Sequence, residues 1–293
     1  MTRADGAGWG DTGRGGEGRA PWVPEEIWVS DGPVGSEVAG EPEAGVVAGA
    51  APGPPSPPRH RREASKLRDV ATGREGLPSP GGRRRSVPSP VVDELAASAG
   101  PERGSKLGAR LADAAYAYEK ERYDDANRIL RSLARQVPGS QAVRELYGLV
   151  LYRLGQWAQA ARQLEAYRQM SGSFDQHPVL ADCYRALRRY DDAAEIWEDL
   201  CAASPSGDLV AEGRIVAAGC LADRGDLIGA IRLLEVPRRR VSRPQERHLR
   251  QWYALADLHE RAGDLPGARE MFARVAAAEP DAFDVRERLR ALR

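Results

Sequence analysis

One short pattern recurs five times in the second half of the chain and constrains its fold more than any other feature. An aromatic residue or leucine is followed three positions later by alanine, in the copies Tyr123–Ala126, Trp157–Ala160, Tyr190–Ala193, Leu227–Ala230 and Leu265–Ala268. Successive alanines are 34, 33, 37 and 38 residues apart. A period of this length indicates stacked helical hairpins, because one hairpin alone cannot bury its apolar face.

The residue types around each copy explain how such hairpins close. Two antiparallel helices approach closely only where a side chain is nearly absent, which is the role expected for the five alanines. Gly155, Gly225 and Gly263 precede three of the copies and supply the backbone freedom for a turn. The space between neighbouring hairpins is expected to be filled by Trp157, Tyr190, Trp197, Trp252 and Phe272.

The last copy carries a resemblance to a known family, since it contains Trp252, Leu255, Ala256, Gly263, Ala268, Phe272 and Pro280. In these positions it resembles the tetratricopeptide repeat (TPR). The resemblance implies an all-α fold, a right-handed α-solenoid of about five TPR hairpins. The repeats would cover residues 107–140, 141–173, 174–206, 211–243 and 249–280, with a capping helix over 281–292. The arrangement also resembles TPR proteins of high-GC, actinobacteria-like bacteria.

The first 105 residues have a different composition, with 19 glycines and 14 prolines. Such a content of chain-breaking residues, without a collagen-like period, predicts a disordered N-terminal arm over residues 1–105, followed by the solenoid over 106–293. The arm is acidic over residues 1–45 and basic from Arg59 to Arg85. A second irregular segment, Pro237–Pro244, lengthens the spacing between the fourth and fifth repeats and is expected to bulge.

The TPR resemblance also implies where a partner binds. The first helices of TPR hairpins line a concave side that holds peptides through positions 2, 5, 9, 12 and 13 of each repeat. The residues expected on this face are Tyr118, Glu145, Leu149, Tyr152, Arg153, Asp182, Arg185, Tyr253 and Asp257. Aromatic rings beside arginines and carboxylates suit the recognition of a protein or peptide. The alternative is a solvated helix face with ion pairs such as Asp257 with Arg261.

Two segments of the arm offer other routes to a partner. Trp22, Ile27 and Trp28 stand among acidic residues and form a candidate linear motif that folds on binding, with exposed filler as the alternative. The basic stretch from Arg59 to Arg85 supports an alternative function, association with nucleic acid. This alternative is less favoured because arginine is abundant throughout the chain.

Other classes of function find no support in the sequence. No catalytic constellation is present, so the chain is predicted not to be an enzyme and to need no cofactor. The four histidines and three cysteines lack metal-ligand spacing, and no metal is predicted. No apolar run is long enough for a membrane span, and no signal peptide begins the chain, so a cytoplasmic protein is expected. Self-association is left open.

Overall fold

The structure is a computed structural model that describes residues 87–235, 241 and 243–292. These residues form twelve α-helices and no β-strand. The helices are α1 Ser89–Ala99, α2 Pro101–Glu119, α3 Tyr123–Gln136, α4 Gln141–Arg153, α5 Trp157–Ser171, α6 His177–Ala186, α7 Tyr190–Ala203, α8 Gly207–Asp223, α9 Leu227–Leu234, α10 Glu246–Arg261, α11 Leu265–Ala278 and α12 Val285–Ala291.

Helices α2 to α11 form five consecutive hairpins. We call the first helix of each hairpin an A helix (α2, α4, α6, α8 and α10) and the second a B helix (α3, α5, α7, α9 and α11). Each helix packs against the next one along the chain, and each A helix also contacts the A helix of the next hairpin. Contacts confined to neighbouring repeats define a solenoid. The prediction of an all-α solenoid is therefore confirmed.

The turns between A and B helices use a left-handed residue, as the glycines predicted. Gly155, Gly225 and Gly263 have φ values of 70°, 94° and 80°. The first and third hairpins lack a glycine here, and Glu121 and Arg188 each adopt φ 57° instead. A non-glycine residue tolerates this conformation at some cost, so the turn geometry is kept even where the sequence does not favour it.

The recurring alanines lie where the helices of a hairpin adjoin. Ala126, Ala160, Ala230 and Ala268 are fully buried, and Ala193 is 3% exposed. The spacing between helices α4 and α5 is tight enough that a Cβ atom on Gly148 would lie 2.4 Å from Leu164 Cδ2. These close approaches confirm the steric reason for small residues in the repeat.

The hydrophobic core is divided into two clusters, and the division falls inside helix α7. The first core runs from Leu95 to Ile196 and includes Cys220 from the next hairpin. The second core runs from Trp197 to Leu292. Adjacent residues of one helix therefore belong to different cores, and Trp197 is the first large side chain of the second.

The helical region begins earlier than the sequence composition predicted, which corrects the boundary at residue 105. Helix α1 and the first turns of α2 lie within the segment assigned to the arm, and Leu95 is fully buried. A Cβ atom on Gly104 would lie 2.5 Å from Ala96 Cα, so α1 packs closely on α2. Gly100 and Pro101 counted as chain breakers, but they form the turn and the first helical position of a hairpin. Residues 1–86 lie outside the described residues.

The C-terminal cap is shorter than the expected helix over residues 281–292. Helix α12 begins at Val285, because Phe283 two residues earlier has φ 54° and interrupts the helix. Val285 is 1% exposed and Leu292 is 8% exposed, and both belong to the second core. Of the expected bulge over residues 237–244, residues 237–240 and 242 lie outside the described residues.

Two of the three cysteines lie in the core, and the third packs at its edge. Cys183 and Cys220 are buried, and burial raises the pKa of the Cys220 thiol to about 12. Cys201 is half-buried.

Within the described residues no group of three or more His, Cys, Asp or Glu side chains is placed to hold a metal ion. In the same part of the chain no helix has the length and apolarity to cross a bilayer.

Candidate interaction surface on the A helices

A chain of polar contacts crosses the stack from one A helix to the next. Tyr152 on α4 donates a hydrogen bond to Asp182 on α6 (2.7 Å), and Asp182 also accepts from Arg185 Nε (2.8 Å). Arg185 Nη1 donates to Asp223 on α8 (3.0 Å), and Arg261 on α10 lies 3.8 Å from the same carboxylate. We call these five residues the inter-repeat ladder. They mark the side of the stack on which the A helices adjoin, the A-helix face.

The central arginine of the ladder is partly withdrawn from solvent and fully charged. The Arg185 side chain is 19% exposed. Burial alone would lower the pKa of its guanidinium, but Asp182 and Asp223 raise that pKa on balance. Burial and the Asp182 carboxylate both raise the pKa of the Tyr152 hydroxyl well above its ordinary value. Tyr152 and Arg185 were expected to face solvent as free anchors, whereas each is half-buried and engaged with a neighbouring repeat.

Further polar contacts follow the same face. Gln176 donates to Glu145 Oε1 at 2.9 Å, and Arg250 lies 2.7 Å from Glu212. Burial raises the pKa of the Glu145 carboxyl, and the nearby Asp175 carboxylate adds to this, although the hydrogen bond from Gln176 opposes it. Glu145 is thus an acidic group that this environment disfavours in its charged form.

At the C-terminal end of the face, Arg288 on α12 joins two carboxylates of α10. Its guanidinium lies 3.0 Å from Asp257 and 2.8 Å from Glu260. Tyr253 donates to Asp284, and its ring lies 4.7 Å from that of Phe283 and 5.3 Å from that of Phe272. The cap is therefore fixed to the last A helix by charge as well as by apolar packing.

An apolar stripe runs beside the ladder. Leu146, Val179, Val216 and Ala254 occupy position 6 of four successive repeats, one on each A helix from α4 to α10, and all four are half-buried. Val179 and Ala254 lie three residues before Asp182 and Asp257, two carboxylates of the cross-repeat contacts, which places them on the same side of their helices. The A-helix face therefore offers partly exposed aliphatic surface with polar groups along it.

Carboxylates outnumber guanidinium groups among the cross-repeat contacts described above. The cross-repeat contacts include the four guanidinium groups of Arg185, Arg250, Arg261 and Arg288. They also include seven carboxylates, from Glu145, Asp182, Glu212, Asp223, Asp257, Glu260 and Asp284. Carboxylates therefore outnumber cations, and a basic or neutral segment is electrostatically better suited to this face than an acidic one.

Two of the residues predicted for this face belong to the core. Leu149 is 1% exposed and lies in the first core, and Tyr118 is 8% exposed with its ring 5.6 Å from that of Tyr123. Arg153 donates to the Tyr123 hydroxyl at 3.1 Å, which places it near the start of α3. Leu149 and Tyr118 were expected on the binding face, but both side chains are buried in the first core.

The structure brings together the remaining predicted residues and adds others. Glu145, Tyr152, Asp182, Arg185, Tyr253 and Asp257 all take part in cross-repeat contacts. Sequence reasoning missed Asp223 and Arg250, although they occupy positions 13 and 2 of their repeats and the register pointed to them. It also missed the position-6 stripe, for which the TPR resemblance gave no signal. The candidate motif Trp22, Ile27 and Trp28 lies outside the described residues.

Five hairpins with one continuous face of cross-repeat contacts define the chain as a helical-repeat protein. Comparison with known families agrees with the repeat type: the family described as tetratricopeptide repeat matches residues 111–173. Among solved structures, the chain is similar to a thermophilic TPR protein of Thermus thermophilus. The identity is 18%, the TM-score is 0.47, and the match covers 64% of this chain and 98% of that one. No curated protein matches the sequence. The likeness to proteins of high-GC bacteria stays a prediction.

Proposed function

We propose that this chain is a protein-interaction module whose A-helix face binds an extended segment of a partner protein. Tetratricopeptide repeats generally mediate protein–protein interactions. The observation that supports this face is the stripe of Leu146, Val179, Val216 and Ala254, which pack on the cores and remain partly exposed on four successive A helices beside an excess of carboxylates. Partly exposed aliphatic surface at the centre and charge at the rim is the usual composition of a recognition surface.

The spacing of the stripe sets the length of the segment. Packed helices lie about 8–10 Å apart, so four A helices span about 30 Å. An extended chain rises about 3.3 Å per residue, so a segment of about ten residues crosses the stripe. Aliphatic side chains of the segment would contact the stripe, and its basic side chains would pair with Glu145, Glu212 and Asp257.

The rigid ladder gives this proposal a further physical reason. Tyr152, Asp182 and Arg185 already satisfy one another's polar groups, so binding needs no rearrangement of these side chains. A face that is ordered before the partner arrives loses less conformational entropy on association. Their role in the proposal is to hold the A helices in register, while the stripe and the carboxylates beside it make the direct contacts.

Nucleic acid is the less favoured partner for this face. Seven carboxylates against four guanidinium groups would repel a phosphate backbone. The basic stretch from Arg59 to Arg85, which supported that alternative, lies outside the described residues. A cytoplasmic place of action stays a prediction from the sequence.

A matched pair of substitutions tests the proposed face. Val179→Lys places a charge at the centre of the apolar stripe, and Ile228→Lys makes the same kind of change at a residue of α9 that is 67% exposed. Proteins captured by the parent chain are identified by mass spectrometry, and the two variants are compared with it. We expect the proteins retained by the parent and by Ile228→Lys to be lost from Val179→Lys, while the helical circular dichroism of both variants at the temperature of capture equals that of the parent. Retention of the same proteins by Val179→Lys would contradict the proposal.

A further inference from the structure

We propose that residues 59–85 of the same chain bind the A-helix face and compete there with the partner segment. This inference rests on the proposed function, since it uses the same face. The segment contains nine lysines and arginines and three acidic residues. It is therefore the part of the chain whose charge is most complementary to a face on which carboxylates are in excess.

The described chain begins beside the first A helix, directly after this segment. Val87 is half-buried and packs on the first core, and its Cγ2 atom lies 3.5 Å from the position that a Cβ atom on Gly108 would take. Gly108 is position 2 of the first repeat, on the A helix α2. The chain therefore enters the fold beside the first A helix, and Arg83, Arg84 and Arg85 come directly before that point.

The segment is long enough to cross the stack. Its 27 residues, counted from Arg59 to Arg85, span about 90 Å when extended. Five A helices at a spacing of about 8–10 Å cover about 40 Å. The segment also contains Leu67, Val70 and Leu77 among its basic residues, and these side chains suit the aliphatic stripe.

Charge selects this segment over the other candidate in the arm. Residues 1–45 contain nine acidic groups and three arginines, and Trp22, Ile27 and Trp28 are accompanied by Glu25 and Glu26. Such a segment is repelled by the acidic face. At the N-terminal end of the face, burial raises the pKa of the Glu145 carboxyl and the Asp175 carboxylate adds to this, so a basic side chain placed here would favour the charged form of Glu145.

Tryptic cleavage of the full-length chain tests the proposal without any external partner. Trypsin cleaves after Arg59, Arg62, Arg74 and Arg85 in the basic segment, and cleavage after Arg14 and Arg19 in the acidic segment serves as an internal reference. We expect the rate in the basic segment, relative to the reference, to rise at least about three-fold between 50 mM and 500 mM NaCl. The reason is that salt shortens the Debye length from about 10 Å at 0.1 M to about 3 Å at 1 M.

Two sets of neutral substitutions identify the surface that protects the segment. The variant Glu145→Gln, Glu212→Gln, Asp257→Asn removes three carboxylates of the A-helix face and keeps their shapes. The variant Glu195→Gln, Glu198→Gln, Glu270→Gln removes three exposed carboxylates of B helices. At 50 mM NaCl we expect the first set to raise the relative cleavage rate about three-fold and the second set to leave it unchanged.

Several results would overturn this proposal. A relative rate that changes with neither salt nor the A-helix substitutions would show that the segment does not bind the face. An equal increase in both triple variants would assign the effect to overall charge. Protection that grows with protein concentration would mean binding between chains. If only Glu25→Gln, Glu26→Gln exposed the basic segment, the arm would be pairing with itself. The capture experiment with Val179→Lys tests partner binding, and the cleavage experiment tests binding of residues 59–85. Failure of one proposal can therefore be distinguished from failure of the other.

Discussion

The contacts that join successive A helices differ between the two cores of the solenoid. In the first, the A helices are joined by hydrogen bonds of uncharged donors, from Tyr152 to Asp182 and from Gln176 to Glu145. In the second, an ion pair of Arg250 with Glu212 joins α10 to α8, and Arg288 of α12 pairs with Asp257 and Glu260 of α10 beside the hydrogen bond from Tyr253 to Asp284. The same repeat architecture is thus held in register by two kinds of contact.

The B helices also differ in length along the stack. B helices α3, α5, α7 and α11 have 14, 15, 14 and 14 residues, whereas α9 in the second core has eight. A short B helix leaves less apolar surface for the next hairpin to bury. At the fourth repeat, whose B helix is the short one, the ion pair of Arg250 with Glu212 adds a charged contact between A helices. Four predictions test or refine this comparison.

The largest expected effect is at the boundary between the cores. Trp197 is 1% exposed, and a Cβ atom on Gly213 of α8 would lie 3.1 Å from its ring. Trp197→Ala should lower the free energy of unfolding by about 3–5 kcal/mol. Hydrogen exchange should show the loss of protection in helices α8 to α11 rather than α2 to α5. The half-buried Trp157 is the control, and Trp157→Ala should cost less than about 2 kcal/mol. Equal loss of protection along the whole stack would show that the two cores unfold as one.

The second prediction concerns the N-terminal hairpin formed by α1 and α2. Gly104→Ala places a Cβ atom against the backbone of Ala96 and should cost about 2 kcal/mol, because helix α1 has to move. Gly108→Ala makes the same change where the nearest side-chain atom is 3.5 Å away. This control should be neutral or stabilising, because alanine favours helix more than glycine does. Urea denaturation of both variants measures the difference, and equal stability would mean that α1 does not pack as described.

The third prediction concerns the inter-repeat ladder. Arg185→Gln removes the pairs with Asp182 and Asp223 and should cost about 1.5 kcal/mol, because hydrogen bonds to charged groups are the stronger ones. Arg189 pairs with Asp192 at 2.8 Å, but its side chain is 52% exposed, and Arg189→Gln should cost less than about 0.5 kcal/mol. Chemical denaturation at low and high salt distinguishes the two, since the partly buried pair is screened less. An Arg185→Gln variant as stable as the parent would show that the ladder contributes nothing to register.

The smallest effect is at Glu145. Its pKa is raised in the folded chain, so the folded state binds protons more readily than the unfolded state, and stability should increase as pH falls through that pKa. Glu145→Gln removes this dependence. We expect the variant to be more stable than the parent at pH 7, by less than about 1 kcal/mol, and the difference to vanish towards pH 4. Urea denaturation at several pH values measures it. A difference that grows as pH falls would reverse the assigned sign.

The features of this molecule that its sequence predicts are mainly those set by contacts within one hairpin. The starts of the B helices and the buried alanines were predictable, because close helix packing dictates those residue types within a single hairpin. Helix α1 was not, because Gly100 and Pro101 contribute to a count of chain breakers although they form one ordered turn. The composition was averaged over residues 1–105, a range that includes the whole of helix α1.

The A-helix face was predictable in position and not in detail. Leu146 and Leu149 are three residues apart on the same helix, yet Leu146 is half-buried and Leu149 is 1% exposed. The difference arises because Leu149 lies within the first core whereas Leu146 borders it, which is a tertiary property. The pairing of Arg185 with Asp223 of the next repeat is likewise tertiary. The register identified which positions lie on the face, whereas the packing between repeats determined which side chains remain accessible.

Photocrosslinking from the stripe tests the central claim, that the A-helix face is the recognition surface. A photoreactive phenylalanine derivative is introduced in the full-length chain at residue 146, on the face, or at residue 228, on α9. Crosslinked peptides are identified by mass spectrometry with and without a partner obtained in the capture experiment. The account predicts that residue 146 crosslinks to residues 59–85 in the free chain and to the partner when it is present, whereas residue 228 crosslinks to neither. Crosslinks to the partner from residue 228 and none from residue 146 would contradict it.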